Sequence, residues 1–333
     1  MHFFNFLAGI LAASTVSAHP GADIQAEILE RREQIAQLEY RNLDHCNEIL
    51  KRDGVFQRGI ERRAATAEKL MAERGIKRRA DPINTSHKSS KAYTLNTPAS
   101  TIFASNTSCL LSPEVTEGPY YVTGEYIRSD ITENQAGVKL HLDILVLDVT
   151  TCKPVPNVFV EIWHTNSTGV YSGVVANGNG NYADKTNNKK SFARGALKTS
   201  ADGVVEFDTL FPGHYTGRTT HIHTMVHTST AVANANGTLA DQYASHVGQV
   251  FFDQSLITIV EKASPYSTNK QTLTTNAKDG ILKEESKVGD PFVNYVFLDG
   301  GDSVSAGLLG WISFGINPTL SKKVNAAAKF TGN

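Results

Sequence analysis

Apolar and polar residues alternate in short segments of the second half of the chain. From residue 138 to 144 every second residue is apolar, which is the period of a β-strand with one buried face. Five further segments are rich in β-branched and aromatic residues and are also predicted to be strands: 157–163, 203–207, 219–227, 249–253 and 295–298. Because these strands are short and separated by turns, the pattern predicts a mainly β fold, an antiparallel β-sandwich.

The N-terminal part of the chain has a different pattern. Ile24, Ile28, Ile35 and Leu38 recur at helix-like intervals among glutamate, glutamine and arginine residues. Residues 19–80 are therefore predicted to form a helical segment or a propeptide that precedes the sandwich. A dimerisation helix, which would make the protein a homodimer, is the alternative.

Composition divides the rest of the chain. Serine, threonine, asparagine and lysine dominate residues 81–108, which predicts a linker before a compact domain at 109–320 and a polar tail at 321–333. Three polar stretches within the domain are predicted to be long surface loops, where binding sites are often built: 172–195, 228–242 and 262–292.

The first eighteen residues resemble a secretory signal peptide. An apolar run at 3–13, too short to span a bilayer, is followed by the small residues Val16-Ser17-Ala18 at a cleavage site after residue 18. The chain also has four glycosylation acceptors, at Asn84, Asn106, Asn166 and Asn236. These features predict a secreted, extracellular glycoprotein. The formal net charge of −1 gives no electrostatic reason to expect nucleic acid or a membrane surface as a partner.

Three cysteines allow one disulfide and leave one residue over. We expect the pair Cys109–Cys152, because both residues flank the predicted sandwich domain. Cys46 would then be free, paired between chains or removed with a propeptide.

Chemistry is concentrated at residues 212–223, which contain Tyr215, Arg218, His221 and His223. The two histidines are two residues apart and would share one face of a strand. Tyr171 follows another predicted strand, so two phenols and two imidazoles could surround one metal ion. Tyrosine ionises only near pH ~10 unless a strong cation lies beside it, so this donor set favours ferric iron. The His-x-His pair alone would also fit zinc or copper.

Four segments of this chain resemble the intradiol ring-cleavage dioxygenases, in particular a secreted fungal type: Glu117-Gly118-Pro119-Tyr120-Tyr121, residues 156–172, Arg194-Gly195 and residues 199–223. The resemblance covers roughly 112–260. It implies non-haem Fe(III) bound by four ligands, which match Tyr171, Tyr215, His221 and His223. Between Tyr215 and His221 the chain is shorter than in bacterial members, and Thr219-Thr220 replaces the usual Pro-Ala, so the resemblance leaves the substrate open.

The resemblance further implies an activity, namely cleavage of a catechol-type aromatic diol by dioxygen between its two hydroxyl-bearing carbons to give a muconate-type diacid. Tyr215 would accept a substrate proton, Arg218 would stabilise negative charge on the ring, and Gln249 would hydrogen-bond nearby. Tyr120 or Tyr121 would line the ring pocket or serve in a turn and core. Two rival interpretations are a non-catalytic secreted binding module and a zinc or copper enzyme that uses His221 and His223.

Overall fold

The computed structural model describes residues 24–37, 40, 42–76, 108–110 and 120–330, except for seven single positions: 177, 181, 240, 242, 288, 300 and 302. The predicted signal peptide and nearly all of the predicted linker lie outside the described residues. Asn84, Asn106 and the segment Glu117-Gly118-Pro119 lie outside them as well.

Helices occupy the described N-terminal part of the chain, and two short ones occur later. The described residues form five α-helices: α1 Ile24–Gln37, α2 Asn47–Arg52, α3 Val55–Glu73, α4 Gln254–Val260 and α5 Gly280–Glu285. Among the residues that the structure describes, no helix is long and apolar enough to cross a membrane.

Strands make up most of the remaining structure, and fourteen lie within the described residues. They are β1 Ser108–Leu110, β2 Val122–Thr123, β3 Glu125–Tyr126, β4 Lys139–Asp148, β5 Phe159–Trp163, β6 Arg194–Lys198, β7 Val204–Leu210, β8 His221–His227, β9 Thr238–Leu239, β10 Tyr243–Phe251, β11 Asn294–Phe297, β12 Leu308–Ile316, β13 Lys322–Lys323 and β14 Ala328–Lys329. The mainly β fold with N-terminal helices is confirmed.

Two five-stranded sheets form the sandwich. In the first sheet the order is β1-β12-β4-β7, with β11 paired to β12, and in the second it is β13-β10-β8-β5-β6. Pairing is antiparallel except that β12 runs parallel to both β4 and β1. Strand β12 was not among the predicted strands. Its residues are buried throughout instead of alternating, because the sandwich core covers one face and helices cover the other.

The core between the sheets follows the predicted alternation. Leu140, Leu142 and Ile144 of β4 point inward, and Ile222 and Val226 of β8 meet them from the other sheet. Since successive side chains of a strand point to opposite faces, the odd-numbered residues of β8 lie on its outer face. That face holds a second buried cluster of aromatic side chains, whereas the outer face of the first sheet is covered by α2 and α3.

The disulfide joins Cys46 to Cys152, so the expected pair Cys109–Cys152 is wrong. Cys152 lies in the turn after β4 and packs, like Cys46, in an apolar cluster with residues of the helical segment, and the two Cα atoms are 5.1 Å apart. Cys109 instead lies on β1, opposite Phe314 of β12. The positions of the cysteines along the sequence therefore did not predict which two are close in space. The bond links the helical segment covalently to the sandwich.

Candidate metal centre

Two loops bring the tyrosines together, and a glycine in each loop makes the contact possible. A β-carbon at Gly169, whose φ is +78°, would collide with the carbonyl oxygen of His214. A β-carbon at Gly213 would lie 2.5 Å from the carbonyl oxygen of Asn166, which instead accepts the Gly213 N–H at 3.1 Å. The loops before Tyr171 and Tyr215 therefore run side by side. Their rings meet edge to face with centroids 5.6 Å apart.

The backbone of Tyr171 is held by two buried asparagines from the polar stretch 172–195. Asn179 accepts the Tyr171 N–H at 2.8 Å and donates to its carbonyl oxygen at 2.8 Å, and Asn187 donates to the same oxygen at 2.7 Å. The prediction of a surface loop missed both residues. Composition gave no signal for them, because asparagine is as typical of solvated loops as of buried anchors.

Three of the four predicted ligands lie close to one atom of the fourth, His221 Nε2. His221 Nε2 lies 3.4 Å from the Tyr171 hydroxyl, 3.3 Å from the Tyr215 hydroxyl and 3.2 Å from His223 Nε2. All four side chains are buried, and the His223 ring stacks on Trp163 with centroids 4.9 Å apart. The structure thus brings together every residue of the predicted ligand set.

Hydrogen bonding fixes which nitrogen of His221 faces the cluster as an acceptor. His221 Nδ1 lies 2.6 Å from the carbonyl oxygen of Thr219, and a carbonyl can only accept. Nδ1 therefore carries the proton, and Nε2 presents its lone pair to the cluster. Burial, followed by the charge of Arg218, lowers the pKa of His221 to about 3, so this imidazole stays neutral.

The same surroundings keep the phenols protonated in the absence of a cation. Burial raises the pKa of Tyr171 to about 12, although Tyr215, Arg218 and Arg194 oppose the rise. Burial also raises the pKa of Tyr215 well above its ordinary value. Donor atoms about 3 Å apart are spaced as ligands of one ion with bonds of about 2 Å. The chemistry of the donor set therefore fits a buried, strongly charged metal ion that would ionise the phenols.

Arg218 lies beside the cluster, where its charge acts to lower the pKa of His221 and of Tyr171, and its guanidinium binds Asp279 and Gln249. Arg218 Nε donates to Asp279 Oδ2 at 2.8 Å, and Arg218 Nη2 donates to Gln249 Oε1. Gln249 stands opposite His223 in the β8–β10 ladder, so both side chains lie on the same face of the sheet. Asp279 is buried within 262–292, which was predicted to be a surface loop, and sequence reasoning missed it.

The two weaker candidates occupy different places. The Tyr120 ring stacks on Tyr171 with centroids 4.7 Å apart, and its buried hydroxyl has no hydrogen-bond partner among the described residues. Tyr121 contacts Trp163 instead, with centroids 5.2 Å apart. Tyr120 therefore packs directly against the ligand cluster. Tyr121 packs instead against Trp163, the ring on which His223 stacks.

The family model described as Dioxygenase matches residues 116–238. Catechol 1,2-dioxygenase 1 of Acinetobacter lwoffii is 36% identical over 109 residues, which cover 31% of this chain and 32% of that protein. Catechol 1,2-dioxygenase of Acinetobacter baylyi is 33% identical over 110 residues, with the same two coverages. The chain thus matches about a third of the length of these curated relatives.

A solved structure extends the similarity. The intradiol ring-cleavage dioxygenase from Tetranychus urticae is 33% identical, with a TM-score of 0.51, and the match covers 66% of this chain and 98% of that one. The similarity spans nearly the whole of that solved chain. The dioxygenase match at 116–238 includes all four side chains of the cluster. The chain belongs to the intradiol ring-cleavage dioxygenase family.

Proposed function

We propose that this protein is a secreted, non-haem Fe(III) dioxygenase that cleaves catechol-type aromatic diols between their two hydroxyl-bearing carbons and releases muconate-type diacids. The observation that carries the proposal is the convergence of two phenol oxygens and His223 Nε2 within 3.4 Å of His221 Nε2. Family membership supplies the reaction class, and the donor set supplies the reason to expect iron.

Tyr171, Tyr215, His221 and His223 would hold the ion. When bound, ferric iron would withdraw electron density from the diol and so make the ring reactive towards dioxygen. The buried surroundings exclude water from this chemistry, since all four side chains are nearly inaccessible to solvent. Thr219 keeps the proton on His221 Nδ1, so Nε2 remains available as a ligand.

The protein's own residues can accept a substrate proton and stabilise negative charge on the ring. A diol that binds as an anion must release hydroxyl protons. Tyr215 Oη, which would be a phenolate as a ligand of the ion, can accept one of them, because burial raises the pKa of this phenol and so favours its protonated form. Arg218 would stabilise negative charge that develops on the ring, because its guanidinium is already fixed beside the cluster. Gln249 would keep that guanidinium in place through its Oε1 atom.

The relatives support the proposed substrate class. Two of them are named catechol 1,2-dioxygenases, and a small aromatic diol together with dioxygen is accordingly the proposed substrate pair. The stacked ring of Tyr120 offers an apolar wall beside the ligands.

Secretion is supported by two features besides the N-terminal apolar run. The Cys46–Cys152 disulfide is typical of oxidising compartments. Asn236 is an exposed glycosylation acceptor, whereas the acceptor Asn166 is half-buried. Glycosylation is therefore proposed at Asn236 rather than at Asn166. The homodimer stays a prediction.

The proposal is tested by iron loading, visible absorption and diol turnover. Tyrosinate bound to Fe(III) absorbs visible light, so the iron-loaded protein is expected to be coloured, to change colour with catechol and to consume dioxygen. Tyr171→Phe should remove colour and turnover, while the exposed Tyr182→Phe should retain both. A colourless preparation that binds zinc or copper instead, or full turnover by Tyr171→Phe, would contradict the proposal.

Arg218→Ala separates the metal site from charge stabilisation. Because Arg218 is not a ligand, the variant should retain iron and colour and should lose about 100-fold or more in turnover rate. Unchanged turnover in this variant would exclude the role proposed for Arg218.

A further inference from the structure

Asp279 is a buried carboxylate outside the residues that the family model matches. It ends a turn of 3₁₀ helix at Asn276–Lys278 and begins α5. Its Oδ1 atom accepts the N–H groups of Ile281 and Leu282, both at 2.9 Å, so it caps the helix. Capping uses only one of the two carboxylate oxygens.

The second oxygen points towards the candidate metal centre. Oδ2 accepts from Arg218 Nε and from the backbone N–H of Thr219, both at 2.8 Å. One oxygen thus binds the side chain of Arg218 and the peptide that follows it. Such a pair of bonds fixes the guanidinium relative to its own backbone, because both donors must meet at the same atom.

The segment that carries Asp279 is hydrogen-bonded to residues that directly follow β10 of the second sheet. Asn276 Nδ2 donates to the carbonyl oxygen of Phe252 at 2.9 Å, and the Asn276 N–H donates to Gln254 Oε1 at 2.9 Å. The carboxylate is therefore held by an anchored segment, and it meets Arg218 where Gln249 of β10 contacts another nitrogen of the same guanidinium. A rigid arrangement of this kind is what charge stabilisation in a reaction requires, since a mobile group would have to reorganise first.

We infer that Asp279 is a positioning residue for Arg218, which it holds beside the metal ligands in the orientation needed to stabilise charge on the reacting ring. The inference rests on the proposed function, because it assigns a partner to the arginine of that mechanism. Asp279 acts through Arg218, since the hydrogen bonds of its carboxylate go to Arg218, to the Thr219 N–H and to the α5 cap.

The variant Asp279→Asn tests the inference in the iron-loaded full-length protein. An asparagine can turn its one carbonyl oxygen to the α5 cap, but its amide nitrogen cannot accept from Arg218 or Thr219. Turnover of catechol should fall about 10- to 100-fold, with KM changed less than about threefold, while iron content and the tyrosinate absorption are retained. Asp290→Asn, which changes an exposed turn-capping aspartate nearby, should behave like the unmodified protein.

A double-mutant cycle distinguishes positioning from general stabilisation. If Asp279 acts through Arg218, then Asp279→Asn should change turnover less than about twofold when Arg218 is already alanine. An equal loss in both backgrounds would overturn the inference, as would normal turnover in the single variant. A colourless or inactive unmodified protein would instead overturn the proposed function.

Asp279→Ser covers the case in which the asparagine variant fails to fold. Serine can still cap α5 through its hydroxyl but is too short to reach Arg218. It should therefore keep the α5 cap, melt at a lower temperature because Arg218 loses its buried partner, and show the same loss of turnover rate in the folded protein. A folded serine variant with full turnover would also overturn the inference.

Discussion

Strand β8 has a buried histidine at each end, and the two experience opposite surroundings. His221 meets two phenols, another imidazole and the charge of Arg218, and its pKa is lowered to about 3 by burial and then by that charge. Burial also acts to lower the pKa of His227, but the neighbouring carboxylates of Asp241 and Glu161 outweigh it and raise the value to about 9. At neutral pH one ring is neutral and the other is charged.

The difference shows how one strand can carry a binding site at one end and a structural ion pair at the other. His227 lies 2.7 Å from a Glu161 oxygen and 3.5 Å from an Asp241 oxygen, so its charge is balanced within the protein. The His221 end instead gathers atoms with lone pairs around a neutral imidazole. A metal cation would complete the first arrangement and would be repelled by the charged imidazole of the second.

The largest effect is expected at the neutral end. His221→Ala removes the atom on which the other three donors converge, so iron content and visible absorption should be lost and turnover should fall by at least about 1,000-fold. His141→Gln, which changes a buried histidine on the first sheet, should retain iron and colour. Normal iron content in His221→Ala would break the comparison.

His227→Ala should act on stability and leave the metal site in place. The change leaves the buried carboxylate of Glu161 without its cation, which typically costs about 3–5 kcal/mol in the free energy of unfolding. Urea unfolding measures this cost, and the folded protein should still bind iron.

The variant pair Glu161→Gln with His227→Ala serves as the control for that explanation. Removing the charge of Glu161 as well should recover part of the lost stability, because no uncompensated buried charge then remains. A double variant that is no more stable than His227→Ala would show that lost packing, rather than the buried charge, caused the effect.

The ligand cluster was predictable because its signals are local. Alternation on β8 places His221 and His223 on one face, Tyr215 lies six residues before His221, and the resemblance to the intradiol dioxygenases joined Tyr171 to them. The partner of Arg218 was not predictable, because Asp279 lies sixty-one residues further along the chain in a polar stretch. The aspartate just before Gly280-Ile281-Leu282 does fit a helix cap, but a cap signal does not say what the second oxygen binds.

The fold shows the same limit. The alternation of β4 was recognised in the sequence, whereas β12, buried throughout and paired in parallel with β4, has no two-residue period of apolar and polar residues to reveal it. With three cysteines, three pairings are conceivable, and only the packing of the helical segment against the turn after β4 decides among them. The pairing of β12 and the choice of disulfide therefore depend on long-range packing, which the periodicity of the sequence does not show.

The smallest effect, the pH dependence of stability, sharpens the comparison most. The folded pKa of His227, about 9, exceeds the ordinary value near ~6.5, so the fold favours its charged form. The resulting stabilisation is fully present below about pH 6.5, declines as the pH rises and is lost above about pH 9.

In metal-free protein, His227→Gln should therefore lower the free energy of unfolding by about 2 kcal/mol at pH 6 and by much less at pH 9.5. The groups around His141, whose pKa is also raised to about 9, are the same in both proteins, so their contribution cancels in the difference. Urea midpoints measured at both pH values test this, and a difference that does not change with pH would show that His227 is not charged in the folded protein.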